Sequence, residues 1–380
     1  MSDLIALSTA GDDSLHALLA EVGAAPYRAA QLRAATWQPF IASLDDVRQL
    51  PHSLREQLAQ RLVFSTVRVA AQTVADDGAT LKLLCDVGGG LTVETVAMET
   101  PATAVSVRRG TVCVSSQVGC AVGCPFCATG RMGLRRNCTA PEIVDQVRAA
   151  AQAMHRSGFR PVTHVVYMGM GEPLANVSST IESLHVLTGA AGISARRITV
   201  STSGVVPAID RMIHEAPPVT LAVSLHAATD SLRDRLVPLN KAHPLAELLA
   251  AMRRYVTHTG RRATLEWCLI SGVNDSLEQA RALRGIAMSH RAHVNVIPMN
   301  RIEGSEWGPP SDATAQRFLA RLRGVRTTVR DTRGGDVDAA CGQLRASLEA
   351  RRWLQPDGTL GAPVRRAAPA GVSERPSPVS

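Results

Sequence analysis

Apolar and polar positions change their period twice along the chain. Up to about residue 65 the apolar residues recur at helical spacing, first Leu15, Leu18 and Leu19, then Tyr27–Trp37 and Ser53–Leu62. Ser53 and Glu56 read as a capping box opening the last of these helices. From Val67 to about Val107 the spacing is that of strands, with Thr80–Val87 and Leu91–Met98 on either side of a Gly88-Gly89-Gly90 hairpin turn. Beyond Thr111 short apolar runs alternate with helical segments. Strands are predicted at Thr111–Ser115, Val162–Met168, Arg197–Ser201, Val219–Ser224, Thr264–Leu269, His293–Ile297 and Arg326–Arg330. Helices are predicted at Glu142–His155, Val177–Leu187, Leu245–Thr257, Leu277–Ser289 and Ala313–Leu322. This alternation predicts an α/β fold with a parallel sheet of βαβ units. Six or so units form an open or partial barrel, with ligand-binding residues at the C-terminal strand ends. Past about Trp353, Pro, Gly, Ala, Ser and Arg dominate and a mostly disordered tail is expected. The expected division is a helical domain at 1–65, a β-hairpin connector at 66–107, the α/β core at 108–345 and the tail at 346–380.

Composition narrows the class without choosing a function. A chain of 380 residues, 45% hydrophobic and 19% charged, suits a soluble globular protein with a sizeable core. No run approaches the ~20 apolar residues that span a bilayer, and the N-terminus lacks a signal-like pattern, so no membrane is expected and a cytoplasmic location is. Net charge is +8, and Lys82 and Lys241 are the only lysines among 41 basic residues. Such a surface favours polyanions through counterion release, although an arginine-biased composition alone gives the same number. At 3% aromatics a broad base-stacking platform is disfavoured, which leaves arginine and shape to hold any nucleic acid. Arg108-Arg109, Arg135-Arg136 and Arg196-Arg197 are candidate phosphate contacts, or simply solvated faces.

The cysteines change the picture. Five of the eight lie between Cys113 and Cys138, a clustering that points to a metal or redox site rather than a disulfide framework. Cys120, Cys124 and Cys127 have the spacing C-x3-C-x2-C. Thiolates suit iron–sulfur clusters, and three local ligands on a four-iron cube leave one iron open to another molecule. Structural zinc is the alternative, and it wants a fourth ligand, which Cys138 could supply. Cys138 precedes a marked helix start, with Thr139 as N-cap, Pro141 in the first turn and Glu142 closing a capping box. Its plain reading is a small buried filler; its sharper one is a spare thiol competing for the metal.

The run Cys113-Val-Ser-Ser-Gln-Val-Gly-Cys120 through Gly130, with Arg136-Asn137 and Glu142-Ile143-Val144, resembles the RlmN/Cfr family of radical-SAM RNA adenine methyltransferases. Met168-Gly-Met-Gly-Glu172-Pro173-Leu174, Ser201-Thr-Ser203-Gly204, Ser224-Leu225-His226, Gly272-Val-Asn-Asp275 and Asp336-Val-Asp-Ala-Ala-Cys341-Gly-Gln-Leu follow in order, so the resemblance covers about residues 15 to 345. It implies a partial (β/α)6 radical-SAM barrel behind an N-terminal RNA-binding helical domain. It also implies one [4Fe-4S] cluster on Cys120, Cys124 and Cys127, with S-adenosylmethionine (SAM) used twice per turnover. Gly171, Glu172, Ser203, Ser224, Leu225, His226 and Asn300 would then hold SAM. Cys341 would carry the methyl group, because carbon 2 of adenine is not nucleophilic. A radical formed from a second SAM would activate that group for addition to the base. Cys113 would resolve the resulting RNA–protein link by forming a disulfide with Cys341, and Glu94 would accept the ring proton.

Alone, these residues read differently. Glu172 is a capping carboxylate in a tight turn or a partner for an amine, His226 a packed strand-end histidine, Glu94 a solvent-facing strand residue, and Cys341 an inert buried thiol. The resemblance further implies 23S rRNA, in its peptidyl-transferase region, as substrate, with the tRNA adenosine beside the anticodon as a second target. A low-potential donor such as flavodoxin or ferredoxin would supply electrons. The target base must be splayed or flipped to reach a site buried with the cluster. Methylation at carbon 2, the RlmN outcome, fits the Gly-Glu-Pro pattern better than the Cfr outcome at carbon 8. A zinc-stabilised RNA-binding protein without redox chemistry is the alternative of another class; it predicts zinc and no brown colour.

Overall fold

The computed structural model describes residues 4–101, 108–302, 304–330 and 343. Three helices, α1 (Asp12–Glu21), α2 (Arg28–Thr36) and α3 (His52–Ala59), open the chain. Leu15, Leu19, Leu32 and Leu58 close a small core of their own beneath them. The capping box expected at Ser53 does not form. The helix starts one residue earlier, at His52, because Pro51 at ψ 147° sets the entry, and Ser53 falls inside the first turn.

Among the described residues, ten strands make one sheet whose spatial order equals chain order. They are β1 (Arg68–Val74), β2 (Thr80–Asp86), β3 (Thr92–Thr100), β4 (Arg109–Cys113) and β5 (Val162–Tyr167). There follow β6 (Ile198–Thr202), β7 (Thr220–Ser224), β8 (Thr264–Leu269), β9 (His293–Pro298) and β10 (Thr327–Val329). β1 to β4 pair antiparallel and β4 to β10 pair parallel. β1 and β10 do not pair with each other, so the barrel is partial. The expected hairpin is present, but its strands are continuous with the barrel sheet. Gly88, Gly89 and Gly90 all adopt positive φ (83°, 63° and 70°), which is why the turn needs three glycines.

The crossovers are α4 (Ala140–Arg156), α5 (Val177–Thr188), α6 (Val206–Glu215), α7 (Leu245–Thr259) and α8 (Leu277–Ser289), and α9 (Asp312–Arg321) leads into β10. Helix α6 is absent from the predicted helices although Val206, Ile209, Met212 and Ile213 recur at helical spacing and are buried. Pro207 sits in its first turn, where the missing N–H is harmless, but in a sequence it reads as a breaker. The Thr139–Glu142 capping box at the start of α4 is formed in both directions, at 3.3 and 2.9 Å. One turn on, the buried Asp145–Arg148 pair clamps the N-terminal part. Arg148 donates to the Thr36 and Phe64 carbonyls at 2.8 and 2.6 Å, while Thr66 donates to Asp145.

Register sorts side chains between the two faces of the sheet. Thr95 donates to Gln146 of α4, so the face carrying Leu83, Thr95 and Val112 packs on helices. The opposite, inner face carries Lys82, Glu94 and Cys113 on the antiparallel side. Across the parallel strands it carries Ser224, Glu266 and Asn295.

Candidate functional site

A cavity opens where the C-terminal ends of β5 to β9 meet the loop after β4. Cys120, Cys124 and Cys127 line one side, and Gly171, Glu172 and Ser203 line it nearby. Ser224, His226 and Asn300 complete the sequence-predicted residues on its wall. It encloses about 1010 Å³, open mouth included.

A short antiparallel pairing of Gln117–Gly119 with Leu134–Asn137 holds the cysteine loop at its two ends. Cys127 sits at the N-terminus of the turn Ala128–Arg131, and Gly130 lies so close that a Cβ there would be 2.8 Å from the Cys124 carbonyl. Burial pushes the Cys120 thiol up to about 12 and raises Cys124 as well, and the neighbouring cysteines and Glu172 push in the same direction. Thiols so placed in an apolar wall resist ionising, and cationic iron supplies the charge that reverses this. The donor set therefore fits an iron–sulfur cluster. Among the described residues no three His, Cys, Asp or Glu side chains converge on a single ion. Cys138, the fourth ligand that zinc would need, is fully buried in the hydrophobic core and is not on the cavity wall.

The Gly-Glu-Pro turn is a structural joint. Glu172 Oε1 accepts the Leu174 N–H at 2.9 Å, and Oε2 accepts both the N–H and the hydroxyl of Ser203 at 2.7 and 2.6 Å. The carboxylate thus ties the loop after β5 to the loop after β6. Gly171, at φ 99°, has no room for a side chain, since a Cβ would lie 2.6 Å from Gln117. Gln117 in turn accepts the Glu172 N–H at 2.8 Å.

His226 has φ 57°, an unusual conformation for a histidine, and is pinned from two directions. Its Nδ1 accepts the Cys268 N–H at 2.9 Å and its carbonyl accepts from Asn274 at 2.8 Å. Nδ1 being an acceptor, the ring proton sits on Nε2. Burial, then the charge of Arg233, lowers its pKa to about 3, so the imidazole is neutral. The ring meets Phe126 edge to face at 4.9 Å. Behind it, the fully buried Arg233 donates to the carbonyls of Ser203 (2.6 Å), Leu225 (3.1 Å) and Ser224 (3.2 Å) and to Asn240 Oδ1 (2.8 Å).

Three expected residues lie off the cavity wall. Leu225 is fully buried; its N–H donates to the Glu266 carbonyl, and its carbonyl accepts from Arg233 and from the Ala227 N–H. Glu94 is fully buried, not solvent-facing, and its Oε1 lies 2.8 Å from Lys82 Nζ. Cys113 lies on the same sheet face, 8% exposed. Cys341 is outside the described residues. Of the arginine pairs, Arg108 is bound to Glu99 and Arg136 forks onto Glu142, while Arg135, Arg196 and Arg197 are exposed.

Sequence reasoning missed Lys82, Gln117, Arg233 and Glu266. Glu266 lines the cavity and accepts from Asn295 at 2.7 Å, and burial raises its pKa. Lys82 had a signal, being one of two lysines. Arg233 had none among so many arginines. No helix of the described residues is long and apolar enough to cross a membrane.

The Radical SAM superfamily signature matches residues 114–283. A probable dual-specificity RNA methyltransferase RlmN from Moorella thermoacetica is 45% identical over 87% of this chain and 94% of its own length. The dual-specificity RNA methyltransferase RlmN of Anaeromyxobacter is 43% identical over 96% of this chain and 94% of its own. Among solved structures, a radical SAM methyltransferase from Sphaerobacter thermophilus superposes with a TM-score of 0.85 at 46% identity, covering 90% of this chain and all of that one.

Proposed function

The chain belongs to the RlmN family of RNA methyltransferases within the Radical SAM superfamily, and on that premise we propose that it methylates carbon 2 of an adenosine in 23S rRNA, and of a tRNA adenosine. The observation that carries this reading is the single cavity lined by both the cysteine triplet and the Glu172–Ser203–His226 wall. Cys120, Cys124 and Cys127 would hold a [4Fe-4S] cluster. With SAM bound, that group supplies the reducing electron, the hydrogen-abstracting radical and the methyl carbon.

The chain's residues do the rest. The glycine backbone after β5 lets a ligand approach closely, and Glu172 fixes Ser203 beside it. Neutral His226 presents an Nε2–H donor without adding positive charge. Cys341 carries the methyl group, and Glu94 takes the proton lost from the ring carbon, while the electron that radical addition leaves unpaired in the ring would be returned to the cluster. The Cys113 sulfur then bonds to the Cys341 sulfur as the bond from that sulfur to the new methyl carbon breaks. The bonding pair leaves with the carbon, which takes up a proton to finish the methyl group.

RNA from a strain expressing the chain, digested to nucleosides and resolved by mass spectrometry, tests the regiochemistry. The expected product is 2-methyladenosine; 8-methyladenosine instead would overturn the carbon 2 reading. Anaerobically purified protein with about four irons per chain and SAM cleavage is expected, whereas colourless zinc protein would overturn the redox reading altogether.

A further inference from the structure

A lysine in this chain is itself a signal, since only two of 41 basic residues are lysines. Lys82 is the buried one, 5% exposed, with Nζ 2.8 Å from Glu94 Oε1; both side chains are nearly sealed, at 6% and 1%. The fold alone does not call for such a pair. Apolar residues of similar volume generally stabilise a sheet as well or better, because burying two charges carries a large desolvation penalty. The pair also sits on the inner face. Lys82, Val96 and Cys113 form one register row across β2, β3 and β4, and Glu94 is two residues from Val96 on the same face. Cys113 and Glu94 are therefore diagonal neighbours, on a spacing of roughly 7–8 Å. Cys85, behind the sheet, is a further titratable group coupled to Glu94; burial pushes its thiol up to about 12, with Glu94 adding to the rise.

We propose that Lys82 is a positioning residue for Glu94, holding its carboxylate in place as an anion beside Cys113 for proton transfer from the RNA base. This rests on the reading of Glu94 as proton acceptor. Without a partner, a buried glutamate goes neutral and can accept nothing. A lysine also suits the task better than an arginine. An ammonium engages one carboxylate oxygen, whereas a guanidinium fork engages both and competes with an incoming proton. In the step itself the proton moves from the ring carbon to a Glu94 oxygen, and the C–H electron pair stays in the ring. Lys82 remains an ammonium throughout.

The test uses anaerobically reconstituted holoenzyme and substrate RNA, with Lys82→Met, Lys82→Arg and Glu94→Gln. A buried glutamate that loses its ammonium partner holds its proton more tightly, so at neutral pH the competent fraction and kcat fall about 10- to 100-fold in Lys82→Met. KM for RNA and iron content stay at wild-type values, and a covalent RNA–protein adduct accumulates on denaturing gels, as it does with Glu94→Gln. Infrared difference spectra show a protonated carboxyl band in Lys82→Met that wild type lacks. Lys82→Arg keeps the anion and has a kcat between those of wild type and Lys82→Met. Wild-type kcat in Lys82→Met overturns the proposal, and so does a parallel loss of iron and turnover. If Glu94→Gln turns over normally, the reading of Glu94 falls and takes Lys82 with it. If Glu94→Gln stalls while Lys82→Met does not, only the role of Lys82 falls. Should Lys82→Met not fold, the wild-type minus Glu94→Gln infrared spectrum decides: a carboxylate band supports the proposal and a protonated carboxyl band overturns it.

Discussion

Arg233 offers the sharpest test of how the cavity wall is held. Its guanidinium makes four hydrogen bonds, three of them to the carbonyls of Ser203, Ser224 and Leu225, which belong to two neighbouring strand-end loops. Arg233→Met keeps much of the volume but removes every donor. Each buried carbonyl left without a partner costs about 1–3 kcal/mol, although the Leu225 carbonyl keeps the Ala227 N–H. Against that stands the relief of no longer burying a charge, whose size is visible in the fall of the guanidinium pKa to about 10 through desolvation. The balance is a loss of about 2–4 kcal/mol, which for a chain of this length lowers the melting midpoint by roughly 3–6 °C. SAM affinity should weaken at least tenfold, because the carbonyls that slacken belong to Ser203 and Ser224. Differential scanning calorimetry and isothermal titration with SAM read the two effects. Arg233→Lys, which cannot reach both loops at once, should recover less than half of either. A midpoint within 2 °C of wild type and an unchanged affinity for Arg233→Met would refute the reasoning.

Cys124→Ser should abolish bound iron, measured by colorimetric assay, whereas Cys138→Ala should leave it unchanged and lower the melting midpoint only slightly. Glu172→Gln places an amide where two donors from Ser203 arrive; stability should fall by about 1–3 kcal/mol and SAM binding should weaken, as read by denaturant unfolding and titration. Glu266→Gln should behave oppositely. Burial raises the Glu266 pKa above its ordinary 4.5, so the folded state holds this proton more tightly than the unfolded one. Its stability contribution is therefore lost as pH rises through and above that value, and Glu266→Gln should raise the melting midpoint at pH 7.5 but not near pH 4.

Much of this molecule is legible in its sequence because the signals are local. Helix α8 falls at Leu277–Ser289 and strand β8 at Thr264–Leu269, as their apolar periods predict. The cysteine spacing marks the loop that lines the cavity. What does not show is whatever depends on a distant partner. Glu94 reads as exposed until β2 brings Lys82 beside it. Glu172 reads as either a ligand or a cap until the end of β6 delivers two donors to it. The failed capping box at Ser53 has the same lesson at short range, since the pattern is present but Pro51 decides where the helix begins. The Gly272-Val-Asn274-Asp275 motif is visible as a motif, yet its role in pinning His226 needs the fold.

The antiparallel strands that continue the barrel sheet divide the molecule's labour. The superfamily signature begins at residue 114 and ends at 283, so the cysteine triplet, Glu172, Ser203 and His226 all lie within it. Lys82, Glu94 and Cys113 lie before it, on β2, β3 and β4, while Asn300 and Cys341 come after. On the proposed function, the part that would generate the radical is thus flanked by strands that would decide what the radical is used for. Because both parts belong to one hydrogen-bonded sheet, the flanking strands could diverge in side chains without disturbing the generator's backbone. An enzyme of this build would acquire a new product by changing its margins and leaving its engine alone.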